Sequence, residues 1–291
     1  MMKKSLFRGN KVTGSAAVVL LALGVFGSTQ ALAGIASTKH NLGTQGTGTN
    51  HLTTGTAEIC VFCHTPHGAD TSASVPLWNR VMAVPSTYTT YNSLGTSSLD
   101  GATAPVGSVS LACLSCHDGA QAMNVMINAP GSGGYNVGGL APAGDVWAGS
   151  SSLTTGIAAL GKDLKNDHPV GIQYGGGMTG NVAYTKGDIA AGALRDADFK
   201  GIKYANLNGN DVWWVDSGTS VGTRDKADMQ LYTRSDAGSV SIGGVVTANA
   251  LVGAQAFVEC ASCHDPHTDA APTFLRVSNA GSAVCLACHI K

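Results

Sequence analysis

Eight cysteines fall in four copies of Cys-x-x-Cys-His, and no cysteine lies outside them. The copies are Cys60-Val61-Phe62-Cys63-His64, Cys113-Leu114-Ser115-Cys116-His117, Cys260-Ala261-Ser262-Cys263-His264 and Cys285-Leu286-Ala287-Cys288-His289. This spacing is the attachment signature of c-type haem. Two thiols bond to the porphyrin edge, and the adjoining histidine ligates the iron from one face. Structural zinc would leave some cysteine pairs without the following histidine. A disulfide between cysteines three apart closes too short a loop to restrain the unfolded chain. A thioredoxin-like dithiol belongs beside a βαβ pattern, which this sequence lacks. Four haems on one chain point to electron transfer.

Each iron needs a ligand on its other face. Nine histidines are present and four are proximal, which leaves His40, His51, His67, His168 and His267. The competing methionines after the N-terminal segment are Met82, Met123, Met126, Met178 and Met229, and none stands in a suggestive motif. Five histidines for four positions predict bis-histidine haems throughout. Such irons are closed to small substrates, and histidine rather than methionine favours a lower potential. The expectation is therefore a redox protein and not an enzyme; a multihaem reductase would need an open iron.

His67 and His267 each stand three residues after a proximal histidine, across Pro66 and Pro266. The free position of the preceding iron lies across its porphyrin plane, so each should serve a neighbouring haem. Three residues span at most about 10 Å, so those haems must nearly touch. The prolines stiffen the link by fixing φ. His168, in Asn166-Asp167-His168-Pro169-Val170-Gly171, is read as a further ligand, with Pro169 favouring extended backbone there. His40 and His51 share the remaining claim.

The elements that must position these groups are modest. Glycine is 39 of 291 residues, aromatics are 6% and charged residues 12%, which is a poor basis for an ordinary core. The haems themselves are expected to act as the core, with glycine letting backbone approach their faces. The fold class expected is a mostly irregular, haem-templated multihaem cytochrome c, with few short helices and small β-hairpins. Strand-like pieces fall at 201–205, 211–215, 229–233 and 239–247, and residues 41–56 read as extended chain or loop. Trp213-Trp214 reads as packing, one side chain inward and one outward on a strand. The run Arg224-Asp225-Lys226-Ala227-Asp228 reads as a solvated surface.

Residues 1–33 read as a secretory signal peptide. Lys3, Lys4, Arg8 and Lys11 form the basic start, Ala16–Phe26 the short apolar run, and Ala31-Leu32-Ala33 the cleavage site. Export suits haem c, which bacteria attach outside the cytoplasm. The segment holds four of the 17 basic residues and none of the 18 acidic ones, so the mature chain has 13 bases against 18 acids. That balance argues against a nucleic-acid partner. The organisation expected is a single tetrahaem domain over 34–291: a di-haem segment 34–117, a haem-free insertion 118–259 and a di-haem segment 260–291. The segments repeat one another: CVFCHTPH at 60–67 matches CASCHDPH at 260–267, and each precedes a CLxCH.

The opening Ser37-Thr38-Lys39-His40, the CVFCHTPHG segment, the DHPVG segment and the CASCHDPH…CLACH ending resemble extracellular multihaem cytochromes of metal-reducing bacteria. In haem count and layout the chain is similar to the tetrahaem OmcE-like filament ("nanowire") cytochromes. The resemblance covers the haem segments and is weaker over 70–110 and 120–165. It implies proximal His64, His117, His264 and His289, distal His40, His67, His168 and His267, head-to-tail homopolymers and one continuous haem chain. A histidine of one subunit would ligate a haem of the next, and an N-terminal arm carrying His40 or His51 is expected to supply it. His51 departs from the one-to-one count. The function implied is a secreted, polymeric conduit at the cell surface or beyond, passing electrons between redox proteins and outside acceptors. A soluble periplasmic or surface-bound tetrahaem carrier is the alternative.

Overall fold

The computed structural model describes residues 34–291 except 73, 132, 181, 219, 237–238, 243–244 and 249–252. The expected signal peptide at 1–33 lies outside the described residues. Among the described residues there are twelve short strands: β1 Leu52–Thr54, β2 Gly101–Thr103, β3 Met126–Asn128, β4 Tyr135–Leu140, β5 Val146–Trp147, β6 Ile172–Gln173, β7 Lys203–Leu207, β8 Asn210–Val215, β9 Met229–Arg234, β10 Ser239–Ile242, β11 Val245–Ala248 and β12 Gln255–Val258. The helices are α1 Ser108–His117, α2 Cys260–Cys263 and α3 Ala283–Cys288, each within a haem motif or running into one. Single 3₁₀ turns and irregular chain make up most of the rest, as expected for this fold class.

The hairpins of the haem-free middle do not stand alone. Eight strands join in the order β11-β10-β2-β6-β12-β9-β8-β7. β2 and β12, which flank the second and third motifs, are thereby tied into strands of the middle segment. The β7–β8 hairpin has local cause. Asn208 and Gly209 both take positive φ, 52° and 85°. That is the two-residue turn whose twist matches the flanking strands. β1–β5 and β3–β4 form separate antiparallel pairs.

Trp213 and Trp214 correct one expectation, since both are buried, at 2% and 3% exposure. Neighbours on a strand point to opposite faces, so both faces of β8 are covered here. The run at 224–228 is also more ordered than a solvated surface. Asp228 is buried and accepts backbone N–H bonds from Ser217 (3.0 Å), Gly218 (2.9 Å) and Asp225 (2.7 Å).

Among the described residues the apolar side chains form separate small clusters. One joins Tyr174, Ile202, Trp213, Met229 and Ala287 and packs against Cys263 and Cys288. A second, around Leu111, Leu114 and Leu164, meets Cys63. A third, around Leu52, Phe62 and Met126, meets Cys63 and Cys116. Every cluster ends on haem-motif cysteines, as expected where a bound apolar body completes the core. Gly101 shows where glycine is required. Its φ is +100°, and a Cβ there would come 2.8 Å from the Gly176 Cα, so two backbones cross with no room for a side chain.

Candidate functional site

Each motif is one helical turn. The His64 N–H bonds the Cys60 carbonyl at 2.8 Å, His264 the Cys260 carbonyl at 3.1 Å, and His289 the Cys285 carbonyl at 2.9 Å. Cys113–His117 is the last turn of α1. Residues three and four apart share a helix face, so both thiols and the imidazole of a motif project to one side. That arrangement holds a flat group by its edge and one face.

The imidazoles are oriented by their other nitrogen. Nδ1 of His64 lies 2.8 Å from the Pro76 carbonyl, Nδ1 of His117 2.8 Å from that of Ala158, and Nδ1 of His264 2.8 Å from that of Thr273. An Nδ1–H donated to a carbonyl fixes the tautomer and leaves Nε2 with its lone pair for a metal. His289 is placed by the Phe199 ring at 4.3 Å. Four of the five candidate distal histidines share the device. Nδ1 of His40 approaches the Pro266 carbonyl (3.1 Å), that of His51 the Gly48 carbonyl (2.7 Å) and that of His168 the Pro169 carbonyl (3.1 Å). Nδ1 of His267 lies 3.1 Å from Asp265 Oδ1. Burial lowers the pKa of His40, His117 and His168 and outweighs their carbonyl bonds, with neighbouring histidines adding to the effect. A neutral imidazole is the form that binds iron.

Two ring pairs stand out. His64 and His267 have centroids 6.3 Å apart with planes 15° from parallel. His40 and His117 are 6.2 Å apart at 76°. Both gaps exceed ring stacking. With metal–nitrogen bonds of about 2 Å, two imidazoles on opposite faces of one metal have centroids about 6 Å apart. His40 is held in place by Phe274, stacked on it at 4.2 Å and 15°. His168 lies within electrostatic reach of His289 and, more weakly, His264. His67 is exposed and lines a cleft of about 610 Å³ with His64, Val61, Asn128 and Tyr135. Among the described ring contacts, neither His51 nor His67 faces a motif histidine.

The cysteines also come together in chain order. Cys63 and Cys116 share one apolar cluster. Cys113 and Cys260 are brought together by Ser110, whose hydroxyl accepts the Cys260 N–H at 2.9 Å from the helix that carries Cys113. Cys263 and Cys288 likewise adjoin. The first motif thus abuts the second, the second the third, and the third the fourth. Burial pushes the Cys63 and Cys288 thiols up to about 12 and Cys263 up to about 11.

Residues 253–291, holding the third and fourth motifs, match the family described as the doubled CXXCH motif. That marks the chain as multihaem c-type cytochrome-like. No curated protein matches it. The motifs imply covalently bound haem c, and the residues present fit that group. The indole N–H groups of Trp78, Trp147, Trp213 and Trp214 are buried with no acceptor among the described residues. Haem propionates are acceptors of the required kind. Trp78 also sets its ring edge-on to His64, 5.8 Å away at 87°.

Sequence reasoning missed one ring and three carbonyls that position imidazoles. Phe274 and the carbonyls of Pro76, Ala158 and Thr273 carry no local signal, because each is brought to its histidine by chain folding. It also missed Arg80, a fully buried cation beside the first two motifs.

Proposed function

We propose that the chain is an electron conduit of four bis-histidine haems, secreted to the cell surface or beyond, and the subunit of a head-to-tail homopolymer. The observation that supports it is the meeting of consecutive motifs: Cys63 and Cys116 share one apolar cluster, Ser110 joins the second motif's helix to Cys260, and Cys263 and Cys288 share another cluster. Haem c supplies a one-electron iron couple. The chain's part is to hold four such groups edge to edge, with apolar clusters around them and both axial positions closed.

In this reading His64 and His267 share the first iron, and His117 and His40 the second. His168 serves the third or fourth, and His51 or His67 supplies the remaining ligand. His40 is drawn inward to His117, so the histidine that crosses to a neighbouring subunit is His51 or His67. A metal bond across a heterologous interface would fix the register of the polymer. No helix among the described residues is long and apolar enough to cross a membrane.

Cryo-electron microscopy of the protein recovered from the extracellular fraction tests this. Uniform filaments with an unbroken haem chain are expected. Discrete monomers over a wide concentration range would replace the conduit with a diffusing tetrahaem carrier. His51→Ala and His67→Ala proteins that both assemble normally with fully low-spin haem would defeat the cross-subunit ligand.

A further inference from the structure

We propose that Arg80 is a fixed buried positive charge that holds the first two haems at a higher reduction potential than the third, giving the conduit an electrical polarity. This rests on the reading that each motif carries haem.

Arg80 has no exposed surface. Its Nε donates to Ser115 Oγ (3.2 Å), and its Nη1 to the carbonyls of Met123 (2.7 Å) and Val125 (3.1 Å). Its Nη2 donates to the carbonyls of Ser115 (2.9 Å) and Ala122 (3.0 Å) and to Gln121 Oε1 (2.9 Å). Every acceptor is neutral, and among the described residues no carboxylate forms an ion pair with it. Burying an unpaired guanidinium is costly even when its donors are satisfied. A plug that merely filled this space would need no charge.

The position is specific. The preceding residue, Asn79, donates its N–H to the Cys63 carbonyl at 2.8 Å. Ser115, which takes two of the Arg80 bonds, immediately precedes Cys116. The guanidinium therefore lies where the first and second attachment sites adjoin. The acid that opposes it at Cys116 is Asp118, whose Oδ2 is occupied by the Tyr88 hydroxyl at 2.9 Å.

The third site is built with the opposite balance. Arg234 is also buried, but it bonds Glu259 at 2.6 Å and Asp236 at 2.7 Å. Ser110 donates to Glu259 and accepts the Cys260 N–H at 2.9 Å. In that cluster the cation is paired with acids on both sides of its fork, and it adjoins the third attachment site. Reduction adds an electron, so an unpaired cation in a low-dielectric interior favours the reduced form of nearby irons. Arginine keeps its charge in protein interiors, so the field is permanent.

The test is a potentiometric titration of the full holoprotein with Arg80→Gln and Arg80→Lys, followed by EPR and visible spectra. The first and second haems are marked by the signals lost in His267→Ala and His40→Ala. Arg80→Gln is expected to move those two potentials negative while leaving the third and fourth in place. Arg80→Lys, which keeps the charge and loses the fork of hydrogen bonds, is expected to hold them. If Arg80→Gln moves none of the four or all four alike, or if Arg80→Lys falls as far as Arg80→Gln, the proposal is overturned. Should Arg80→Gln not mature, Arg80→Met, which also removes the charge, is compared with Arg80→Lys by the same criterion. A haem count on the unaltered protein is scored separately: haem missing from the first two motifs would defeat the parent reading instead.

Discussion

The rings of His64 and His267 face each other at 6.3 Å, 15° from parallel, although one belongs to the first motif and the other follows the third. A shared iron between them would tie the two ends of the chain together. His267→Ala should therefore convert one haem to high spin and leave the others low spin, and His40→Ala should do the same to a different haem. The two losses should be distinguishable by EPR. Near-parallel imidazoles give a rhombic low-spin signal, whereas the 76° pair of His40 and His117 should give a single large-g feature. Loss of the same signal in both variants would refute the pairing.

Phe274 acts only through His40, which it stacks at 4.2 Å. Phe274→Ala should broaden or partly convert the large-g signal to high spin, because the imidazole loses the surface that orients it. Phe274→Tyr should restore it. A full large-g signal in Phe274→Ala would show that the Pro266 carbonyl suffices to hold the ring.

Glu259 predicts a pH dependence of stability. Burial pushes its carboxyl up to about 7, while Arg234 is held charged by its two acids. At Glu259 burial is the largest effect and prevails over the opposing pull of Arg234 and the Ser110 hydroxyl. The folded value lies above the unfolded one, so the contribution is complete below about pH 4.5 and is lost as pH rises toward 7. Thermal melts should show stability falling by up to about 3 kcal/mol across that window. Glu259→Gln should flatten the slope; an unchanged slope would assign it to other groups.

Gly101→Ala tests the backbone crossing at β2. The new Cβ meets the Gly176 backbone and φ is +100°, so the variant should lose about 1–3 kcal/mol. Denaturant midpoints at constant m-value measure this. A loss below about 0.5 kcal/mol, the scale of an ordinary surface change, would mean the two segments can part.

Much of the site is legible in the order of the residues. The haem signature is local chemistry: two thiols and an imidazole at i, i+3 and i+4 need only one helical turn to share a face, and any chain that forms the turn presents them together. The mostly irregular fold follows from a composition that cannot build a large core, and the strands of the middle segment follow from their alternation and turns. The pairing of histidines with irons is not legible there. His267 faces His64 and His40 faces His117 only because the chain brings distant segments together, and no spacing in the sequence records that meeting. The same holds for Arg80 and Trp214. Each reads as an ordinary residue in its own stretch, and each is buried by elements far along the chain. Local geometry determined what each motif can bind, whereas long-range packing decided which motifs adjoin, which imidazoles face each other and where charge is kept from water, because burial and opposition are properties of several segments at once.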